Sequence, residues 1–207
     1  NYSTRFLATV ASGTAFHLPP LTDLVLNVTF DGWRHGRTTQ ELLDALSDAK
    51  RKGPIKGIIL DLRNNPGGLL DQAVSVSDAF LNKGVIVSMR GRQEETAREF
   101  VAKPQDTDII DTPLVVLVNG GSASASEIFA AAIQDYERGV IVGENTFGKG
   151  TVQSVVDLVS FSRTNEGLGK VKLTVAKFFR INGSTTQRLG VKPDIAYPVS
   201  LGAEVFG

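Results

Sequence analysis

The chain has 207 residues, 42% hydrophobic and 21% charged, enough to bury a core without metal or disulfide staples and too mixed for a fibrous protein. Its longest apolar runs, such as Leu114–Val118, fall far short of the roughly 20 residues a spanning helix needs. Twenty-two basic residues cancel 22 acidic ones, so no global field draws in nucleic acid or an anionic membrane, and zero cysteines exclude thiol nucleophiles and thiolate zinc.

Asn1 to Pro20 mixes β-formers with Ser, Thr and Gly and ends in Pro19-Pro20, which a strand interior cannot continue. Residues 1–20 therefore read as a boundary segment, and residues 21–207 as one domain. With Asn1 first and Met89 its only methionine, the chain is expected to be processed, a fragment, or part of something longer. Residues 24–30 read as a strand, and Thr38 or Thr39 opens a helix with Leu42, Leu43, Leu46 and Ala49 on one face. Gly53-Pro54 ends it. Residues 57–62 are a continuously apolar strand of the buried parallel kind, residues 63–68 a sharp turn, and residues 69–81 a helix. A strand at 85–89, a polar connection over 90–111, a strand at 114–118, a helix over 122–136 and a strand at 140–143 follow. This alternation predicts a parallel α/β core with both sheet faces covered. After Gly150 the runs at 152–159, 171–179 and 195–199 read as hairpins closing the sheet.

Ligand sites in such folds gather where strands run out into helices, and two glycine-rich turns occupy such places. In Asn119-Gly120-Gly121-Ser122-Ala123-Ser124-Ala125-Ser126-Glu127, small side chains permit a tight turn and leave helix-start N–H groups free for a developing anion. Ser124 could attack a carbonyl there while the Ala125 N–H donates to the oxyanion; the alternative is N-capping by Ser122, with small residues for close packing. The second turn, Gly143-Glu144-Asn145-Thr146-Phe147-Gly148-Lys149-Gly150-Thr151, nearly spells G-x-x-x-x-G-K-[ST]. Gly150 stands where the magnesium-binding hydroxyl belongs, and strand rather than helix follows, so nucleotide binding is set aside.

Lys149 is then a solvated charge or the base that a serine needs. His17 and His35 lie outside both turns, which disfavours a Ser-His-Asp triad. A lysine is a base only when neutral, and burial by Phe147 and the flanking glycines would favour that form. Ser47-Asp48-Ala49-Lys50 fits S-x-x-K but closes an amphipathic helix, and no K-T-G or S-D-N follows. Asp106, Asp108 and Asp111 lack EF-hand spacing and read as a solvated loop, so no metal is expected. The sequons at Asn1, Asn27 and Asn182 matter only in a glycosylating host.

Four segments in order resemble the motifs of the carboxyl-terminal processing (tail-specific) serine proteases, over roughly Leu24 to Pro198. They are Asp61-Leu62-Arg63-Asn64-Asn65-Pro66-Gly67-Gly68, residues 121–128 around Ser124, residues 143–153 around Lys149, and Thr186-Gln187-Arg188-Leu189-Gly190-Val191-Lys192-Pro193-Asp194. The resemblance implies an α/β fold with a ClpP/crotonase-like core, a mainly parallel sheet flanked by helices, and C-terminal β-hairpins. It implies a serine endopeptidase that cleaves extended polypeptides near their C-termini by a Ser-Lys dyad through an acyl-enzyme. Ser124 would be the nucleophile and Lys149 the general base, with Gln153 helping to orient the lysine and Asp135 in a structural role. The Ala125 amide would be one oxyanion donor and Gly67 the second, with Gly68 as its alternative. No cofactor is implied. Partners are the polypeptide substrate, which would lie as an added strand, with an adaptor or activator protein and a homo-oligomer left open, and no nucleic acid or membrane span. The expected compartment is the bacterial envelope, in the periplasm. The family's PDZ module finds no room ahead of Asp61, and is read as deleted, never present or disordered. Two other readings stay open: a catalytically silent relative that holds an apolar ligand or peptide, and a crotonase-like acyl-CoA enzyme sharing the oxyanion hole.

Overall fold

The computed structural model describes residues 24–30, 33, 36–92, 97–104, 109–158 and 169–197. The boundary segment, both histidines, Asp106, Asp108 and the Asn1 sequon lie outside the described residues.

The predicted alternation of strands and helices is present. In chain order the elements are β1 (Leu24–Thr29), α1 (Thr38–Lys52), β2 (Ile55–Asp61), α2 (Leu70–Phe80), β3 (Gly84–Gly91), β4 (Arg98–Ala102), β5 (Leu114–Val118), α3 (Ala125–Asp135), β6 (Val140–Gly143), β7 (Thr151–Asp157), β8 (Lys170–Phe179) and β9 (Ile195–Ala196). α1 buries Thr38, Leu42, Leu46 and Ala49, one stripe of an amphipathic helix, and carries Lys50, Arg51 and Lys52 in its last turn, where cations suit the free carbonyls. The S-x-x-K string is on this helix, with Ser47 and Lys50 both exposed.

β1, β2, β5, β6 and β9 form a parallel sheet in that order. Strands are added in one direction only, so right-handed crossovers bring the three helices onto one face. α2 touches both α1 and α3 there. Leu26, Val28, Ile58, Leu60, Val116, Val118 and Ile141 are buried on this side, while Ile59, Val115 and Val142, which alternate with them, are only half-buried. No described helix covers that second face, contrary to the expectation of two covered faces, because covering both requires a reversal of strand order.

Two further expectations change. β3 leaves the parallel sheet and pairs antiparallel with β4 and β8, and β7 completes a second sheet ordered β4-β3-β8-β7. A short apolar run such as Val85-Ile86-Val87 reads the same in either sheet. The expected polar connection contains β4, whose charges point outward while Ala102 is buried, as suits an edge strand. The β7–β8 hairpin extends the second sheet and does not close the first. Only β9 joins the parallel sheet, held by Asp194, whose N–H donates to Ile141 O and whose Oδ2 accepts from Ile141 N–H, both at 2.8 Å.

Aromatic packing supports the site from below. Trp33 is fully buried. It meets Phe30 edge-on with ring centroids 5.1 Å apart and lies 6.1 Å from Phe129, and its indole N–H donates to Ser126 Oγ at 2.9 Å in the first turn of α3. At the other end of α3, Arg138 donates to the carbonyls of Phe80, Ile109 and Thr112 at 3.1, 2.6 and 2.8 Å. Burial pushes the pKa of this guanidinium down, and the charge of Asp111 partly opposes the shift.

Candidate active site

The parallel strands all run toward one end of the sheet, and there the loops after β2, β5 and β6 meet. β5 stops at Val118 and α3 starts at Ala125, leaving Ser124 at the N-cap with φ +57° and ψ −110°. Backbone of this kind costs a non-glycine residue about 1–3 kcal/mol and persists only where its surroundings enforce it. Here they do. The Ser124 N–H donates to Glu127 Oε2 at 2.7 Å, and the Ser124 carbonyl accepts from the N–H groups of Glu127 and Ile128, both at 3.0 Å. Ser122, the alternative cap, is engaged elsewhere. Its hydroxyl donates to Leu62 O at 2.8 Å and accepts from Asn119 N–H at 3.0 Å, which ties the turn to the end of β2. Ser124 is half-buried, on the kind of sharp strand-to-helix turn that presents a hydroxyl to a cleft.

The turn after β2 packs directly on this serine. Gly67 has φ +91°, and a Cβ added to it would lie 2.6 Å from Ala123 O and 2.8 Å from both Ala125 N and Ser124 Cβ. No other residue fits. The Ala125 N–H, at the first helical position, has no acceptor among the described residues, as its place dictates. The Gly67 N–H, the expected second oxyanion donor, is already held by Asn65 Oδ1 at 3.0 Å. Its neighbour is free. Gly67 O accepts from Trp33 N–H at 3.4 Å, so the trans peptide sends the Gly68 N–H the opposite way, where it meets no acceptor among the described residues. Of the two amides the sequence offered as second donor, that of Gly67 is engaged and that of Gly68 is free among the described residues.

Lys149 follows β6 on a loop fixed to the same helix by a residue that reading the sequence for nucleophile and base passes over. Glu127 is fully buried. Its Oε1 accepts from Thr146 Oγ1 at 2.6 Å and Gly148 N–H at 2.7 Å, and its Oε2 accepts from Ser124 N–H at 2.7 Å and Lys149 N–H at 2.8 Å. One carboxyl thus sets the backbone of the serine and the backbone of the lysine at once. The sequence carries a signal for it: Ser124 and Glu127 have capping-box spacing.

The segment after β8 clamps the lysine loop from outside. Arg188 N–H donates to Gly148 O at 2.8 Å, Thr146 N–H donates to Val191 O at 3.2 Å, and Gly150 N–H donates to Gln187 Oε1 at 2.8 Å. A Cβ on Gly148 or Gly150 would run into residues 187–188. Phe147 donates its N–H to Ser122 O at 3.0 Å, but the residue is 66% exposed and not buried in the loop as the sequence suggests.

Lys149 is half-buried and its amine makes no ion pair among the described residues. No hydrogen bond joins Ser124 Oγ to Lys149 Nζ in this structure. Gln153, four residues further along, lies exposed on β7 opposite Thr174, without a hydrogen bond to the lysine. Asp135 is at the far end of α3, where its two oxygens accept from Arg180 Nη2 at 2.5 Å and Nε at 3.0 Å, away from the serine. No cluster of three metal-ligating residues occurs among the described residues, and no described helix is long and apolar enough to cross a membrane.

The sequence profile of peptidase family S41 matches residues 25–197 of the chain. A carboxy-terminal-processing protease of Bartonella bacilliformis is 49% identical over 163 residues, which are 77% of this chain and 36% of that protein. A tail-specific protease of Haemophilus influenzae is 42% identical over 156 residues, 73% of this chain and 22% of that protein. The chain therefore spans about a third or less of the length of these relatives. Among solved structures, the photosystem II D1 C-terminal processing protease superposes with a TM-score of 0.73 at 35% identity, over 91% of this chain and 46% of that one. With serine, lysine and glycine turns assembled at one end of the sheet and the profile running through all three, the chain belongs to peptidase family S41.

Proposed function

We propose that this chain forms the catalytic core of a serine endopeptidase that cleaves extended polypeptides near their C-termini. The observation that carries the reading is a serine in a strained N-cap whose backbone shares the Glu127 carboxyl with the backbone of a lysine. Strain of this kind is characteristic of functional positions. The names of the relatives, which describe carboxy-terminal processing and tail-specific proteases, supply the substrate class.

In the proposed reaction, Lys149 Nζ takes the Ser124 hydroxyl proton as Oγ bonds to the scissile carbonyl carbon. The Ala125 and Gly68 N–H groups receive the oxyanion; loss of one such donor typically costs about 3 kcal/mol. The lysine ammonium then passes its proton to the amide nitrogen, the C–N bond breaks, and the amine leaves. A water molecule, deprotonated by the same lysine, hydrolyses the ester and restores the serine. Because hydroxyl and amine are not hydrogen-bonded in this structure, their approach on substrate binding is part of the cycle, as catalytic contacts often tighten only in the complex. Gln153 is assigned to that closed arrangement and Asp135 to structural support. We place the enzyme in the bacterial envelope, with adaptors and self-association as further properties of the whole protein.

Ser124→Ala is expected to abolish cleavage of an unstructured polypeptide and labelling by a fluorophosphonate, with thermal unfolding little changed. Lys149→Arg should also be inactive, since a guanidinium does not deprotonate. Full cleavage by the alanine variant would remove the serine from the mechanism, and an active arginine variant would remove the lysine.

A further inference from the structure

The two glycine turns are joined at their exposed rim by a pair of asparagines with no place in the chemistry above. Asn119 Oδ1 accepts two backbone donors, Asn64 N–H at 2.8 Å and Gly121 N–H at 3.0 Å. Only an oxygen can occupy that position, so the orientation of the Asn119 amide is fixed. Its nitrogen must then face Asn64, and Asn119 Nδ2 donates to Asn64 Oδ1 at 3.0 Å. This fixes the second amide in turn. Asn64 Nδ2 is left pointing away from the pair, exposed, with no acceptor among the described residues.

The backbone beneath this amide is also constrained. Asn64 has φ +59°, in the left-handed region, which asparagine tolerates better than most residues but still at a cost. Gly121 approaches so closely that a Cβ there would lie 2.8 Å from Asn64 Oδ1 and 2.9 Å from Asn64 Cα. The result is an amide donor whose position and direction are set before any ligand arrives, three residues before Gly67 and on the same turn as Gly68. Strand order adds a direction. The loops after β2, β5 and β6 stand side by side, so Asn64 and Lys149 flank Ser124 on opposite sides. Lysine must sit by the leaving amine, which places the departing part of the peptide on the β6 side and the acyl part toward β2.

We propose that Asn64 Nδ2 is a substrate-binding donor that hydrogen-bonds a main-chain carbonyl of the bound polypeptide on the acyl side of the scissile bond. A donor to main chain holds an extended peptide without reading its side chains, and a preorganised one limits the ordering cost of binding. The inference rests on the reading of the cleft as a peptidase site.

The test separates the two. In a Ser124→Ala background, binding of a fluorescein-labelled, alanine-rich dodecapeptide is followed by fluorescence polarisation, so no turnover is required. Asn64→Asp keeps the oxygen that receives Asn119 Nδ2 and replaces the outward NH2 by an oxygen; affinity should fall at least tenfold, with an unchanged thermal midpoint. Asn64→Gly, which accommodates the positive φ without strain, should lose a similar factor. Equal binding by the Asp variant overturns the proposal. Loss in the Gly variant alone also overturns it, since the amide would then act only by bracing Asn119. A chain that binds no peptide overturns it as well, whereas failure of the peptidase reading appears separately, as absence of Ser124-dependent fluorophosphonate labelling.

Discussion

At the scale of single residues, the site is an exchange of stability for chemistry. Ser124 has φ +57° although nothing about serine favours it. Ser124→Gly is therefore expected to be inactive yet more stable, by about 1 kcal/mol in urea unfolding; a less stable glycine variant would mean that the turn is not strained. Glu127 has the opposite character. Replacing it by glutamine turns one of its oxygens into a donor facing donors, which should destabilise the fold by about 2–4 kcal/mol and suppress fluorophosphonate labelling even where the protein is folded. Labelling at the normal rate by folded Glu127→Gln would show that the carboxyl does not position the serine. Both candidate reactive residues were legible from their turns, because glycine-rich loops between a buried strand and the next element are chemically unusual. Gly68 was not distinguishable from Gly67, because the Asn65 side chain that engages one amide and not the other acts only in the folded turn.

At the scale of elements, α3 acts as the axle: its first turn carries the serine and its last turn is tied to the chain beyond β8. The Asp135–Arg180 pair that makes this tie is nearly buried, with 9% and 16% of the side-chain surfaces exposed. Removing one partner of such a pair leaves a buried charge unmatched, so Asp135→Asn should cost about 3 kcal/mol in urea unfolding. Its cleavage pH–rate profile should be unchanged; a shifted profile would put Asp135 on the proton path. Element type was readable here from periodicity: α1, α2 and α3 fall within a few residues of expectation. Sheet membership was not. β3 carries the same apolar run as the strands of the parallel sheet, and β4 spells Arg-Glu-Phe-Val-Ala, which looks like loop until β3 is beside it.

At the scale of the whole molecule, the two sheets differ in how well water is kept out. β5 lies in the interior of the parallel sheet between β2 and β6, whereas Val155, Leu173 and Val175 of the β7–β8 hairpin are 62%, 48% and 47% exposed. Amide exchange followed by mass spectrometry should therefore be slowest in β5 and β6 and substantially faster in β7 and the first half of β8; equal protection would mean that the two sheets open as one unit. The alternating elements, the amphipathic stripes and the glycine turns at strand ends could all be read from the order of residues, because they depend on spacing along the chain and on the conformations each residue allows. Folding was needed to show which strands share a sheet, which glycine amide stays free, that Phe147 faces solvent, and that one carboxyl joins serine to lysine. Those are relations between segments far apart in the chain, and no local preference encodes a distance across space.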